Sequence, residues 1–255
     1  MVILAPLVTD RPAQIIILSP HFDDAVLSLG GLIAKEKSKI IVATFFTDKP
    51  KNKVTTYWDT ISGFHNSDQA INDRIMENNN SLMPFNVEIF NFGFLDSQYR
   101  DNKDSIELKE KIVLDIEKII DNLPNKDITI YGPSYFGEII THPDHKLLHD
   151  AFIEVAKNRN SDTSLNFFSY EDFPYVERFR KKYWNILQQE ENIIPLSENE
   201  IKAKIHAIGQ YTSQVKAFKA LNDNILHLAE HFTRTRCLNL TTEYQGCEVV
   251  YKIHP

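Results

Sequence analysis

The sequence predicts an α/β protein: a doubly wound, mostly parallel, Rossmann-like sheet flanked by helices. Three observations carry this. Short apolar runs of strand length recur at Ile15 to Leu18, Lys39 to Phe46, Val87 to Phe92, Ile128 to Tyr131 and Leu165 to Tyr170. Stretches of helical periodicity separate them, so successive strands need crossovers and run parallel. Polar clusters follow two of the runs, at the sheet edge where open α/β folds bind ligands.

Each element follows from local chemistry. Ile15-Ile16-Ile17-Leu18 is continuously apolar, as a strand buried on both faces requires. Ala25 to Lys37 reads as the next helix. Lys39 to Phe46, with Ile40, Ile41, Val42 and Phe45, reads as the second strand. Ser67 is placed to cap a helix carrying Ala70, Ile71 and Ile75, and Val87 to Phe92 follows as a strand. Ser105 caps an amphipathic helix whose stripe is Ile106, Ile112, Val113, Ile116, Ile119, Ile120 and Leu123. After the fourth strand, Pro143 suits the first turn of a helix reaching Asn158. Residues 174–235 read as mostly helical, and Val249 to Ile253 as a late edge strand. No repeat and no Pro/Gly/Ser-rich linker divides the chain, so 1–255 reads as one domain. Thr47 to Asn66 and Gly132 to Thr141 read as loops on the strand-end side, and so as substrate walls.

Composition narrows the function. The 255 residues are 42% hydrophobic and 25% charged, an ordinary globular composition. A net charge of -7 without a basic block argues against nucleic acid or an anionic membrane as partner. The N-terminal residues hold neither a basic leader nor a long apolar stretch. The expectation is no signal peptide, no membrane span and a cytoplasmic address. Cys237 and Cys247 are the only cysteines and read as buried free thiols.

The chemistry concentrates in two clusters. Ser19-Pro20-His21-Phe22-Asp23-Asp24 follows the first strand, and His142-Pro143-Asp144-His145 follows the fourth. With a helix beginning near Asp23, His21 lies just outside it and Asp24 in its first turn, three residues apart. His142 and His145 repeat that spacing, and parallel strands bring both turns to one edge. Ligands His21, Asp24 and His145 leave an open coordination position, the arrangement of a catalytic rather than a structural zinc site. One carboxylate and one imidazole then remain for proton chemistry.

Ser-Pro-His-Phe-Asp-Asp-Ala-Val-Leu-Ser-Leu-Gly-Gly at 19–31, with His-Pro-Asp-His at 142–145, resembles the PIG-L or LmbE-like deacetylases. Those are zinc-dependent enzymes that remove acyl groups from N-acylated amino sugars. Arg74-Ile75-Met76-Glu77, Gly93-Phe94-Leu95-Asp96-Ser97, Tyr170 to Tyr175 and Tyr211-Thr212-Ser213-Gln214 extend the resemblance over most of the chain. It implies Zn2+ on His21, Asp24 and His145, with Asp23 as general base. His142 stabilises the oxyanion, and Asp144 orients His142 through a hydrogen bond. Arg74 and Asp96 bind substrate, an amino-sugar conjugate. Phe22 departs from the family's smaller residue, and Ala25 from its frequent Glu.

Other features read as structural. His227-Leu228-Ala229-Glu230-His231 has the spacing of a zinc-protease helix but no evident third ligand, and reads as a surface helix. His149 reads as exposed. Gly30-Gly31 lacks the glycine spacing of a dinucleotide site. Ile201, Ile205, Ile208, Val215 and Phe218 form a stripe suited to core or to contact in a homo-oligomer. Arg74 has an alternative as a surface ion pair with Glu77, and Asp96 as a turn cap. Two rival functions stay open: an amidase on a non-sugar amide, and a silent metal- or sugar-binding protein. The survival of Asp23 and His142 disfavours the second.

Overall fold

The computed structural model describes residues 15–101, 105–124, 127–135, 142–177, 191–236 and 244–253. Strands β1 (Ile15–Ser19), β2 (Ile40–Thr44), β3 (Glu88–Asn91), β4 (Ile128–Pro133) and β5 (Leu165–Tyr170) pair in parallel. β6 (Glu191–Leu196) and β7 (Gly246–Lys252) complete a seven-stranded sheet in the order β3-β2-β1-β4-β5-β7-β6, with both of their pairings antiparallel. The helices are α1 (Asp24–Glu36), α2 (Tyr57–Ser62), α3 (Ser67–Leu82), α4 (Ile106–Asn122), α5 (Pro143–Asn158), α6 (Glu198–Gly209), α7 (Thr212–Ala220) and α8 (Ile225–Thr235).

Alternation along the strands explains the two cores. Ile16, Leu18, Ile41, Ala43, Ile130 and Phe167 pack with the apolar stripes of α4 and α5. Ile17, Val42 and Tyr131 pack with α1 and the C-terminal helices on the other face. Most of the stripe of α6 and α7 belongs to this second core: Ile208 and Phe218 are buried in it, Ile205 and Val215 lie against it, and Ile201 is buried as well. Ser105 does cap α4, its side chain accepting from Leu108 N, and Asn66 rather than Ser67 caps α3.

The late chain differs from expectation. β6 falls in a stretch read as helical, and β7 lies inside the sheet, between β5 and β6. Pro195 and the leading Glu-Asn hide β6 from a propensity reading, yet both suit an edge strand. Cys247 is disulfide-bonded rather than free, while Cys237 lies outside the described residues. Thr47 to Asn66 is not all loop, because it contains α2 behind a Thr56/Asp59 capping box. Residues 136–141 of the second expected loop lie outside the described residues. No described helix is long and apolar enough to cross a membrane.

β1 has β2 on one side and β4 on the other. The chain order reverses there, so the crevice beyond the C-terminal ends of β1 and β4 is the topological switch point. Both histidine clusters emerge into it.

Candidate metal centre and active site

A fixed turn carries the first cluster. Ser19 Oγ donates to the His21 carbonyl at 2.6 Å and accepts from Ala25 N at 3.0 Å. Phe45 N and Phe46 N donate to the carbonyls of Ser19 and Pro20, docking the turn on the segment after β2. Phe22 is 4% exposed, and its carbonyl accepts from Tyr211 Oη at 2.9 Å. The departure at that position packs in the core while also lining the cavity over the site. Ala25 is fully buried, a place that would not welcome a carboxylate.

The structure brings His21, Asp24 and His145 together. Asp24 Oδ2 lies 3.1 Å from His21 Nδ1 and 3.4 Å from His145 Nε2. The opposite nitrogen of each ring rests on a buried carboxylate: His21 Nε2 on Asp144 at 3.0 Å, and His145 Nδ1 on Asp172 at 2.6 Å. Metal-binding histidines are oriented in this way, with the outer carboxylate fixing the tautomer. Three groupings bring their donor atoms within 4.8 Å of one another: His21, His142 and His145; His21, Asp96, His142 and Asp144; and Asp24, His145 and Asp172. Imidazoles and carboxylates gathered this closely, with outer ring nitrogens anchored, fit a divalent transition metal.

Charge supports the fit. Burial disfavours every charge here, yet Asp96, Asp144 and Asp24 raise the His21 pKa well above the ordinary value. Burial likewise opposes charge on His145, but Asp172 and Asp24 outweigh it and raise its pKa. The carboxylates thus call for positive charge at the point where the three donors converge. Asp24 is held low against its burial by His145 and His21. Asp23 differs: burial and the charge of Asp24 push it up to about 7. Burial, then positive charge on His21 and His145, pushes His142 down to about 3.

The remaining expected residues fall as follows. His142 caps α5, its Nδ1 accepting from Asp144 N at 3.3 Å. The Asp144 carboxylate serves His21 rather than His142, whose Nδ1 is 4.0 Å away. The reason is that this carboxylate sits beneath the β1 turn, held by Ser97 N at 2.9 Å and Arg100 at 2.5 Å. Arg74 is 7% exposed and pairs with Asp59 at 3.8 Å, not with Glu77, which binds Thr212 and Ser213 instead. Asp96 is both cap and lining: it accepts from Gln98 N at 2.9 Å and lies 3.8 Å from His21 Nε2.

Sequence reasoning gave no role to Asp172, Arg100 or Asp59. The signal for Asp172 stood in Glu171-Asp172-Phe173-Pro174, an acidic pair directly after a strand. Arg100 and Asp59 carried no local signal. His149 is half-buried rather than exposed, its Nδ1 2.8 Å from the Pro133 carbonyl. His227 and His231 are exposed on α8, as a surface helix requires.

A cavity of about 310 Å³ opens over the three donors. Asp23, Asp96, Gln98, His142 and Arg74 form its polar side. Leu27, Trp58, Ile71, Tyr175, Phe218 and Leu221 form an apolar wall. Trp58 is held by its indole N–H on Gln214 at 3.2 Å, whereas Tyr57 is 70% exposed and lies outside the cavity.

Residues 16–156 match the PIG-L family, GlcNAc-PI de-N-acetylase. The chain belongs to this family. Membership places it among the hydrolases that cleave N-acetyl amides, as the sequence resemblance implied. No curated protein matches the chain. Solved structures share its fold. The antimicrobial A40926 pseudoaglycone deacetylase aligns with TM-score 0.73 and 21% identity, over 95% of this chain and 97% of that one. The zinc-inhibited form of teicoplanin deacetylase gives TM-score 0.73 and 21% identity, over 93% and 97%. The N,N'-diacetylchitobiose deacetylase of Pyrococcus horikoshii gives 0.61 and 14%, over 94% and 84%.

Proposed function

We propose that this PIG-L family protein removes the acetyl group from the nitrogen of an amino sugar carried in a larger conjugate, with zinc as its cation. One observation carries the reading: His21, Asp24 and His145 converge with their outer nitrogens anchored, and Asp23 and His142 line the same cavity. His21, Asp24 and His145 would hold the cation, which supplies Lewis acidity and lowers the pKa of a water to about 7.

The protein's own groups do the rest. Asp23 makes no capping bond to α1 and faces the cavity, so its carboxylate is available to take the proton of the attacking water. Burial and the charge of Asp24 favour its protonated form, which suits it to hold that proton and return it to the departing amine. His142 accepts at Nδ1 from Asp144 N, which leaves its proton on Nε2. From that nitrogen it can donate to the developing oxyanion. Asp144 and Asp172 hold the rings of His21 and His145. Arg74 and Asp96 bind the polar groups of the sugar, and the apolar wall receives the rest of the conjugate.

The deacetylases named for pseudoaglycone, teicoplanin and diacetylchitobiose substrates, which share this fold, support an amino-sugar substrate. Acetate release by the zinc-loaded chain from a panel of N-acetylglucosamine conjugates tests the proposal. Turnover expected there, and abolished by chelation, supports it. Hydrolysis confined to non-sugar amides overturns it.

A further inference from the structure

The Gly30-Gly31 pair finds its use in a break of α1. Leu29 has non-helical dihedrals, φ -121° and ψ 26°, so α1 is two short helices set at a kink. The first carries Asp23 and Asp24 at its start. The second is docked on α6 and β7. Such a kink has a cause when a side chain enters the helical ladder, and here two do. Gly31 N and Leu32 N, which a regular helix would point at the carbonyls of Leu27 and Ser28, donate to the Glu248 carboxylate at 2.7 and 2.8 Å. Lys204 Nζ donates to the freed Ser28 carbonyl at 3.1 Å and to Glu248 at 2.8 Å. Lys204 is 2% and Glu248 4% exposed.

The glycines make room for this pair. A Cβ on Gly30 would stand 2.8 Å from Lys204 Cγ, and one on Gly31 2.3 Å from Leu196 Cδ1 and 3.0 Å from Glu248 Oε1. The break also reaches the second half of the site. Ser28 Oγ accepts from Phe173 N at 3.2 Å, and the preceding residue, Asp172, orients His145. Ser28 lies one turn from Asp24, so it ties the α1 turn to the strand end behind His145.

We propose that Lys204 and Glu248 are positioning residues for the reaction: by spanning the break in α1, they set the turn bearing Asp23 and Asp24 against His145. A buried ion pair is a poor source of net stability, since an apolar pair of similar size often serves as well. Its use here is geometric, replacing one rung of a helix with a rigid bridge. The catalytic part of this inference rests on the deacetylase reading, while the metal-binding part stands apart from it.

The test uses the full-length chain and Co2+ as probe. In Lys204→Met/Glu248→Leu both charges go together, so neither is left buried alone. The expected result is a folded protein by circular dichroism with Co2+ affinity weakened about 10-fold or more, as for loss of an outer partner of a metal site. The visible Co2+ spectrum should change with it, and kcat should fall while KM holds within about two-fold. Ser28→Ala is the second variant: the same direction is expected, with a lower melting temperature because the buried Phe173 N–H loses its acceptor. Wild-type Co2+ affinity, spectrum and kcat in the folded double variant, or in Ser28→Ala should the double variant not fold, overturn the proposal. If wild-type protein releases acetate from no substrate, the deacetylase reading fails, and the Co2+ measurements still decide this one.

Discussion

At the scale of single residues, the site works by giving chemically similar groups opposite surroundings. Asp23 and Asp24 are neighbours in sequence, yet one is held high and the other low. Asp24 lies against two imidazoles, whereas at Asp23 burial and the charge of Asp24 outweigh the favourable charges of His21 and Arg74. Under the proposed deacetylase reading, that separation suits one to hold a cation and the other to move a proton. Asp23→Asn is accordingly expected to retain zinc, measured by elemental analysis after dialysis, and to lose about 10²–10⁴-fold in kcat. Asp172 never touches the substrate cavity, but His145 hangs from it. Asp172→Asn should weaken metal affinity by about 10–100-fold, read by competition with a chromophoric chelator. An affinity equal to wild type would show that His145 needs no anchor.

At the scale of elements, close backbone approach places both turns. Gly132, in β4, faces α5: a Cβ there would stand 2.4 Å from Cδ1 of Phe152, a ring with no exposure. A ring buried on every side cannot step away, so Gly132→Ala should cost about 1–3 kcal/mol by denaturant titration. α5 carries the His142 to His145 cluster at its start and packs on β4, so the close packing that makes this glycine necessary also fixes the second half of the site. α2 shows the converse. Its capping box sets Trp58 over the cavity, and Thr56 Oγ1 reaches Gln98 Oε1 at 2.6 Å, whose amide reaches Asp96 at 2.8 Å. A six-residue helix is too short to hold itself. It stands because side chains of the site and α7 hold it.

At the scale of the whole molecule, occupancy and protonation should both register in stability. A ligand that binds only the folded chain at a hundred times its Kd adds about 2.7 kcal/mol. For a chain of this size that corresponds to about 5–10 °C in melting temperature. Zinc-loaded and chelator-treated protein should differ by that amount in a thermal scan, and identical curves would argue against the metal centre. His149 supplies a pH dependence outside the site. Burial lowers its pKa, and the Pro133 carbonyl only partly opposes this. Below the unfolded value of about 6.5 the unfolded chain therefore binds the proton first. The stability that comes from keeping this ring neutral is complete above that pH and is lost as pH falls below it. The melting-temperature advantage of wild type over His149→Gln should shrink between pH 7.5 and pH 5.

The parallel core and the chemistry at its edge are legible in the order of residues alone. Runs such as Ile15 to Leu18 have one physical use, and His-x-x-Asp and His-x-x-His after two of them bring donors to one crevice. Local information sufficed because strand, turn and first helical turn are contiguous in the chain. The tertiary structure decided what contiguity does not encode. Asp144 belongs to His21 because β1 and β4 are adjacent, and Asp172 belongs to His145 because β5 follows β4 in the sheet. Pro195 and its polar neighbours became a strand only because β7 offers an edge to pair with. Lys204 and Glu248, distant in sequence from α1, acquired their meaning from a break in that helix which no periodicity announces.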